Sequence, residues 1–107
     1  VPAPTPAVGR IVHYRLSQHD SDAINRRRRD AELARKAGGA DRHTGYVVHV
    51  GNSASEGDIY PAVIVRVWNE TTITVNVQVL LDGNDTYWAT SRAEGDGPGR
   101  WSWPERV

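Results

Sequence analysis

Ile73-Thr-Val-Asn-Val-Gln-Val-Leu-Leu81 is the stretch on which the fold turns. Ile73, Val75, Val77 and Val79 alternate with Thr74, Asn76 and Gln78, and side chains of a strand point to opposite faces in turn, so this is a half-buried β-strand. Upstream, Ile59 to Trp68 sets Val63, Val65 and Val67 against Ile64, Arg66 and Trp68 as a second strand, with Asn69 to Thr72 as the hairpin loop between them. Downstream, Asp82-Gly83 and Asn84-Asp85 form a turn into a strand over Thr86 to Thr90. Tyr46 to Val50 is a further apolar run, and Gly51 to Asp58 is a small, polar loop. Of the 22 Val, Ile and Leu residues, 14 lie between Val47 and Leu81, which places the core there. A Gly95 to Gly99 loop leads to Trp101-Ser102-Trp103.

The N-terminal part follows other periods. Val1 to Val8 holds three prolines and no charge, as an extended arm would. Arg10 to Arg15 alternates, with Ile11, His13 and Arg15 on one face and Val12 and Tyr14 on the other. Ser17 then serves as N-cap with Asp20 three residues on, and a helix over about residues 18–37 ends at Gly38-Gly39. Its apolar stripe, Ala23, Ile24, Ala31, Ala34 and Ala37 with Leu33 at the edge, is narrow and mostly alanine. The expected fold is mainly β (α+β): a small SH3-like barrel or strongly bent antiparallel sheet with one inserted helix. It comprises an arm at 1–8 and a single domain at 9–107.

A chain of 107 residues has room for one core. With no Cys, disulfides, thiolate nucleophiles and Cys-ligated metal sites are excluded. Thirteen basic residues balance thirteen acidic ones, which removes the bulk electrostatic argument for DNA or a membrane. The balance hides a dipole: residues 1–44 carry 9 basic and 5 acidic side chains, residues 45–107 carry 4 and 8. The halves can neutralise one another within a monomer or across an oligomer. No apolar run approaches a membrane span and the N-terminus lacks a signal-peptide layout, so a soluble, intracellular protein is expected. Twelve of the thirteen basic residues are Arg, which fits a GC-rich genome.

Arg26 to Arg29 suggests phosphate binding, or a solvated helix face compensated by the i,i+4 pairs Asp22–Arg26, Arg26–Asp30 and Arg28–Glu32. Arg27 differs, because helical geometry puts it within the alanine stripe. There it needs an anion, either a protein carboxylate or a ligand phosphate. His13, His19, His43 and His49 lack the spacing of a metal site, although His13 and His49 could meet across a sheet. The Asp82 to Asp85 turn lacks the glycine and glutamate positions of a calcium loop. Pro98 and the lack of a following helix argue against Gly95 to Gly99 as a phosphate cradle. No catalytic constellation stands out, so no enzyme, cofactor or metal is expected. Trp residues beside polar neighbours can fill the core or offer a flat face for a ligand, with Trp88 and Trp101 the candidate platforms.

Four strings, Gly9-Arg-Ile-Val-His-Tyr14, Gly57-Asp-Ile-Tyr-Pro-Ala-Val-Ile-Val65, Val79-Leu-Leu-Asp-Gly-Asn-Asp-Thr-Tyr-Trp88 and Gly97-Pro-Gly-Arg-Trp-Ser-Trp-Pro-Glu105, resemble a family of small proteins encoded by actinobacterial phages and prophages. The family has a G-R-x-V-H-Y start and a G-x-W-x-W-P-E end. The resemblance spans Gly9 to the C-terminus and implies a phage origin; no catalytic residues carry over from it. Two functions are expected of such an accessory protein. One is sequestration of a nucleotide-derived host immune signal by a homo-oligomer in the host cytoplasm, through Arg27, His13, Asn84, Tyr87, Trp88, Arg92 and Trp101. The other is a virion decoration or host-protein interaction module. A DNA-binding barrel fits the neutral charge less well.

Overall fold

Alternating apolar residues build the sheet, and the three-and-four spacing after Ser17 builds the helix. The computed structural model describes residues 5–36, 50–68 and 73–105. Its elements run β1 (Ile11–Arg15), α1 (Gln18–Lys36), β2 (Ile59–Val67), β3 (Val75–Leu80), β4 (Thr86–Arg92) and β5 (Arg100–Ser102). The strands form one antiparallel sheet in the order β4-β3-β2-β1-β5. Beyond β4 the chain returns to the other edge of β5. Trp101 N donates to Ala93 O (3.2 Å), and Gly95 N donates to Trp101 O (2.9 Å). Glu94 and Trp101 form a parallel bridge there. The sheet is therefore curled until its two ends meet, a small mainly β barrel with a helix inserted between β1 and β2, as the sequence pattern predicts.

Register puts the expected residues inside. Ala62 faces Val79 and Ile64 faces Val77 across β2 and β3. A bulge then adds a residue between Ile64 and Arg66, so Val67, not Arg66, comes opposite Val75 on the same face. A second irregularity pairs Val75 with Arg92 and Val77 with Ala89. Ser91 there adopts φ 55°, and its N–H donates to Asn76 Oδ1 at 2.7 Å. Val12, Tyr14 and Leu16, with Ile24 from the helix, Val75, Val77, Val79, Ala89 and Trp101, make one buried cluster.

The helix starts as its N-cap dictates. Asp20 N–H donates to Ser17 Oγ (3.1 Å), and Ser17 N–H donates to Asp20 Oδ2 (3.0 Å), a reciprocal capping box. Ile24 and Ala31 are buried, whereas Leu33, at the edge of the stripe, is exposed. The expected helix stop at Gly38-Gly39, the run from Tyr46 to His49, the Asn69 to Thr72 hairpin loop, and His43 and His49 lie outside the described residues.

Candidate binding face and the polar junction behind it

Where α1 meets the sheet, two acidic side chains gather the basic ones. Asp20 is fully buried and is surrounded by donors: Tyr14 OH (2.5 Å), Tyr87 OH (3.0 Å), Arg92 (3.0 Å) and the Ser17 N–H. Burial alone would raise its carboxyl, but the hydrogen bonds from Tyr14 and Ser17 and the charge of Arg92 hold it below the usual carboxylate range. The same burial, together with the Asp20 charge, pushes both the Tyr14 and Tyr87 hydroxyls up.

Asp85 forms the second node. Burial would raise its carboxyl, and Arg28 and then Arg27 lower it. Arg27 reaches Asp85 Oδ2 at 2.8 Å and the Thr86 carbonyl at 2.9 Å; Arg28 reaches Asp85 Oδ1 at 2.9 Å and the Asn52 carbonyl. Thus the anion that Arg27 requires is a protein carboxylate. Arg28, not singled out by helical periodicity, is the more buried of the two, with 10% of its side chain exposed against 31%. Its guanidinium lies against Gly51 and Gly83, where a Cβ would sit 2.6 and 3.1 Å from Nη2. Gly51 and Gly83 pair where this packing occurs, but they lie in different loops, so the sequence carries no signal for it.

The outer face of the sheet is built differently. Register aligns Ile11, Val63, Gln78 and Trp88 in one row across β1 to β4, and His13, Pro61, Leu80 and Thr86 in the next. Trp88 is 60% exposed and Ile11 56%, and Ile59, Val65, Leu80 and Trp68 are exposed as well. No carboxylate stands on these rows. At one end Trp68 lies beneath the Arg66 guanidinium (4.1 Å to the ring centroid) and donates its indole N–H to Asn76 Oδ1 at 3.0 Å. At the other end a cleft of about 430 Å³ opens between His13, Ile59, Asp96, Ser102, Trp103 and Glu105.

The seven candidate ligand residues therefore do not form one site. Arg27, Tyr87 and Arg92 are together at the junction, engaged with Asp85 and Asp20. Asn84 lies in the adjoining turn, where its Oδ1 accepts from Val50 N at 2.9 Å. Trp88 and His13 lie on the outer face. Trp101 is a correction: it is fully buried, edge-on to Trp103 (5.4 Å, 87°), with its indole N–H donating to the Ile73 carbonyl at 2.8 Å. A residue on the inner side of the closing strand has no face left for a ligand. Sequence reasoning missed Asp20 as a buried hub, and missed Trp103, Asp96 and Glu105 as cleft residues. Among the described residues no group of His, Asp and Glu is placed to hold a metal ion, and no helix is long and apolar enough to cross a membrane.

The fold and surface together define a class: a small curled β-barrel whose outer sheet face carries exposed apolar side chains among the described residues. Compared with family models, with curated proteins and with solved structures, the chain gives no match.

Proposed function

We propose that the protein is a non-enzymatic interaction module of phage origin, which binds a protein partner through the outer face of its sheet. The observation that carries this is the contrast between the two surfaces. Arg27, Arg28 and Arg92, the guanidinium groups that a nucleotide would need, each engage a buried carboxylate, whereas the sheet face leaves Trp88, Ile11, Leu80 and Val65 in water. Exposed apolar patches of more than a few hundred Å² mark interaction surfaces. Four strands about 4.8 Å apart and seven or so residues long give a curved outer face of roughly 15 by 25 Å. That is about half of the roughly 800 Å² per partner of a standard interface, so the partner must also cover the flanks. The resemblance of the Gly9 to Tyr14 and Gly97 to Glu105 strings to phage proteins supports the origin.

The test compares the wild-type chain with Trp88→Asp/Leu80→Glu as bait in infected cells, with circular dichroism to show that the variant folds. Expected is at least one protein enriched by the wild type and lost with the variant, whether a virion component, a host protein or a second copy of this chain. Identical captures by both would overturn the proposal. A single saturable ligand in calorimetry against cyclic oligonucleotides, bound equally by the variant, would return the sequestration function in its place.

A further inference from the structure

The ionisable residues that register places on the outer face are Arg and His, with no carboxylate among them. Past the His13 row, Arg15 stands opposite Ile59 on one side and opposite Arg100 on the other, so two arginines are direct cross-strand neighbours. Like charges so placed repel, whereas opposite ones would attract. Both guanidinium groups turn to backbone carbonyls: Arg15 Nη1 donates to Gly57 O at 3.1 Å, and Arg100 Nη1 to Glu94 O at 3.4 Å. At the opposite end of the face Arg66 lies 4.1 Å over the Trp68 ring and makes no hydrogen bond or salt bridge. Its platform is fixed from beneath. The Trp68 indole N–H donates to Asn76 Oδ1, the oxygen that also accepts from Ser91 N–H, and Asn76 is buried. A guanidinium held by one flat side keeps its N–H edge for a planar acceptor. Asp96 and Glu105 stand to one side, in the cleft beside β5, and neither comes within salt-bridge distance of these arginines.

We infer that the partner of this face is a protein surface with an apolar centre and carboxylates at both margins, one meeting Arg15 and Arg100 and the other meeting Arg66. The inference rests on the proposed interaction module and adds the partner's charge. Covering the face takes these guanidinium groups out of water, and a desolvated cation needs an anion to offset that cost. Arg66 lies seven residues beyond Ile59 on β2, which sets the two acidic margins roughly 20 Å apart. Nucleic acid offers a phosphate at every step but nothing apolar to cover Trp88 and Leu80, so a protein is the better fit.

The test extends the bait experiment to Arg15→Glu/Arg66→Glu and Arg15→Lys/Arg66→Lys, each shown to fold by circular dichroism. Arg66→Glu alone, at an exposed position, replaces the double variant if that one does not fold. The protein lost with Trp88→Asp/Leu80→Glu is then purified and titrated by calorimetry against the full chain. Expected is at least about tenfold weaker binding to the glutamate variant, near wild-type binding to the lysine variant, and weaker binding at about 0.5 M than at about 0.05 M salt. Equal binding to the glutamate variant, or equal loss with glutamate and lysine, would overturn the acidic margins while the face stands. Capture unchanged by Trp88→Asp/Leu80→Glu overturns the face and the margins with it. Captured material that nuclease removes would put nucleic acid in the protein's place.

Discussion

Asp20 carries two tasks in one carboxylate. It closes the helix N-terminus with Ser17 and accepts from Tyr14, Tyr87 and Arg92, none of which has another buried anion beside it in the contacts described. Replacing it by Ala leaves a guanidinium and two hydroxyls buried without an acceptor, and breaking such a cluster by removing one member costs about 3–5 kcal/mol. Asp20→Asn should be nearly as costly, because its NH2 group would point a donor at donors. Urea denaturation of both variants measures the loss; an Asn variant close to wild type would contradict the arrangement. The same hub sets the pH dependence. Asp20 and Asp85 are held below their unfolded value of about 4, so the stability they contribute is present above that pH and is lost as pH falls through the lowered folded values. Tyr14 and Tyr87 are raised above about 10, so their contribution is present below that pH and is lost as pH rises beyond it. The melting temperature should therefore be level between roughly pH 5 and 9 and fall on either side. A maximum displaced into the acid range would contradict this. The Ser17 to Asp20 spacing was legible in the sequence. The hub was not, because Tyr87 and Arg92 come to Asp20 from the far end of the chain.

At the scale of elements, the strands were legible and their irregularities were not. Val63, Val65 and Val67 read as one face of β2; Val63 and Val65 do share the outer face, but the bulge after Ile64 turns Val67 inward against the core. Alternation continues through a bulge without a mark. Arg28 shows a second limit. It ties α1 to two loops, the Val50 to Asn52 segment and the Asp82 to Asp85 turn, which also bond each other through Asn52 N–H to Asp82 O (2.9 Å) and Asn84 N–H to Val50 O (2.8 Å). A Cβ at Gly83 would lie 2.3 Å from Val50 O and 2.7 Å from Gly51 Cα. These are backbone atoms, so no rotamer relieves the clash. Gly83→Ala should part the two loops while the β2–β3 pairing persists. Hydrogen exchange would register this as lost protection at Asn52 and Asn84 with Val77 and Val79 still protected; unchanged exchange at Asn52 and Asn84 would refute the tight packing.

Across the whole molecule, the opposed charges of the two sequence halves meet inside one chain. Arg27 and Arg28, from the basic half, close on Asp85 from the acidic half. An oligomer is therefore not required to bring this part of the dipole together, and two of the guanidinium groups that looked available for phosphate, Arg27 and Arg28, are spent on internal structure. Fold class followed from the alternation around Ile73 to Leu81, whereas the binding surface did not. Trp88 looked like a ligand platform from its neighbours, but only register shows that it shares a row with Ile11 and Val63, and only closure shows Trp101 to be core.

That closure also orders events in time. Tyr14 pairs with Trp101, nearly the length of the domain away, and β1 has β2 on one side and β5 on the other. Ring closure over so long a stretch of chain is entropically expensive and follows the local hairpins. Until β5 arrives, β1 presents a bare edge of amides and carbonyls that another chain can use as a template. The final short strand thus acts as a seal: its three residues decide whether a nearly complete sheet remains single or grows by adding its neighbours.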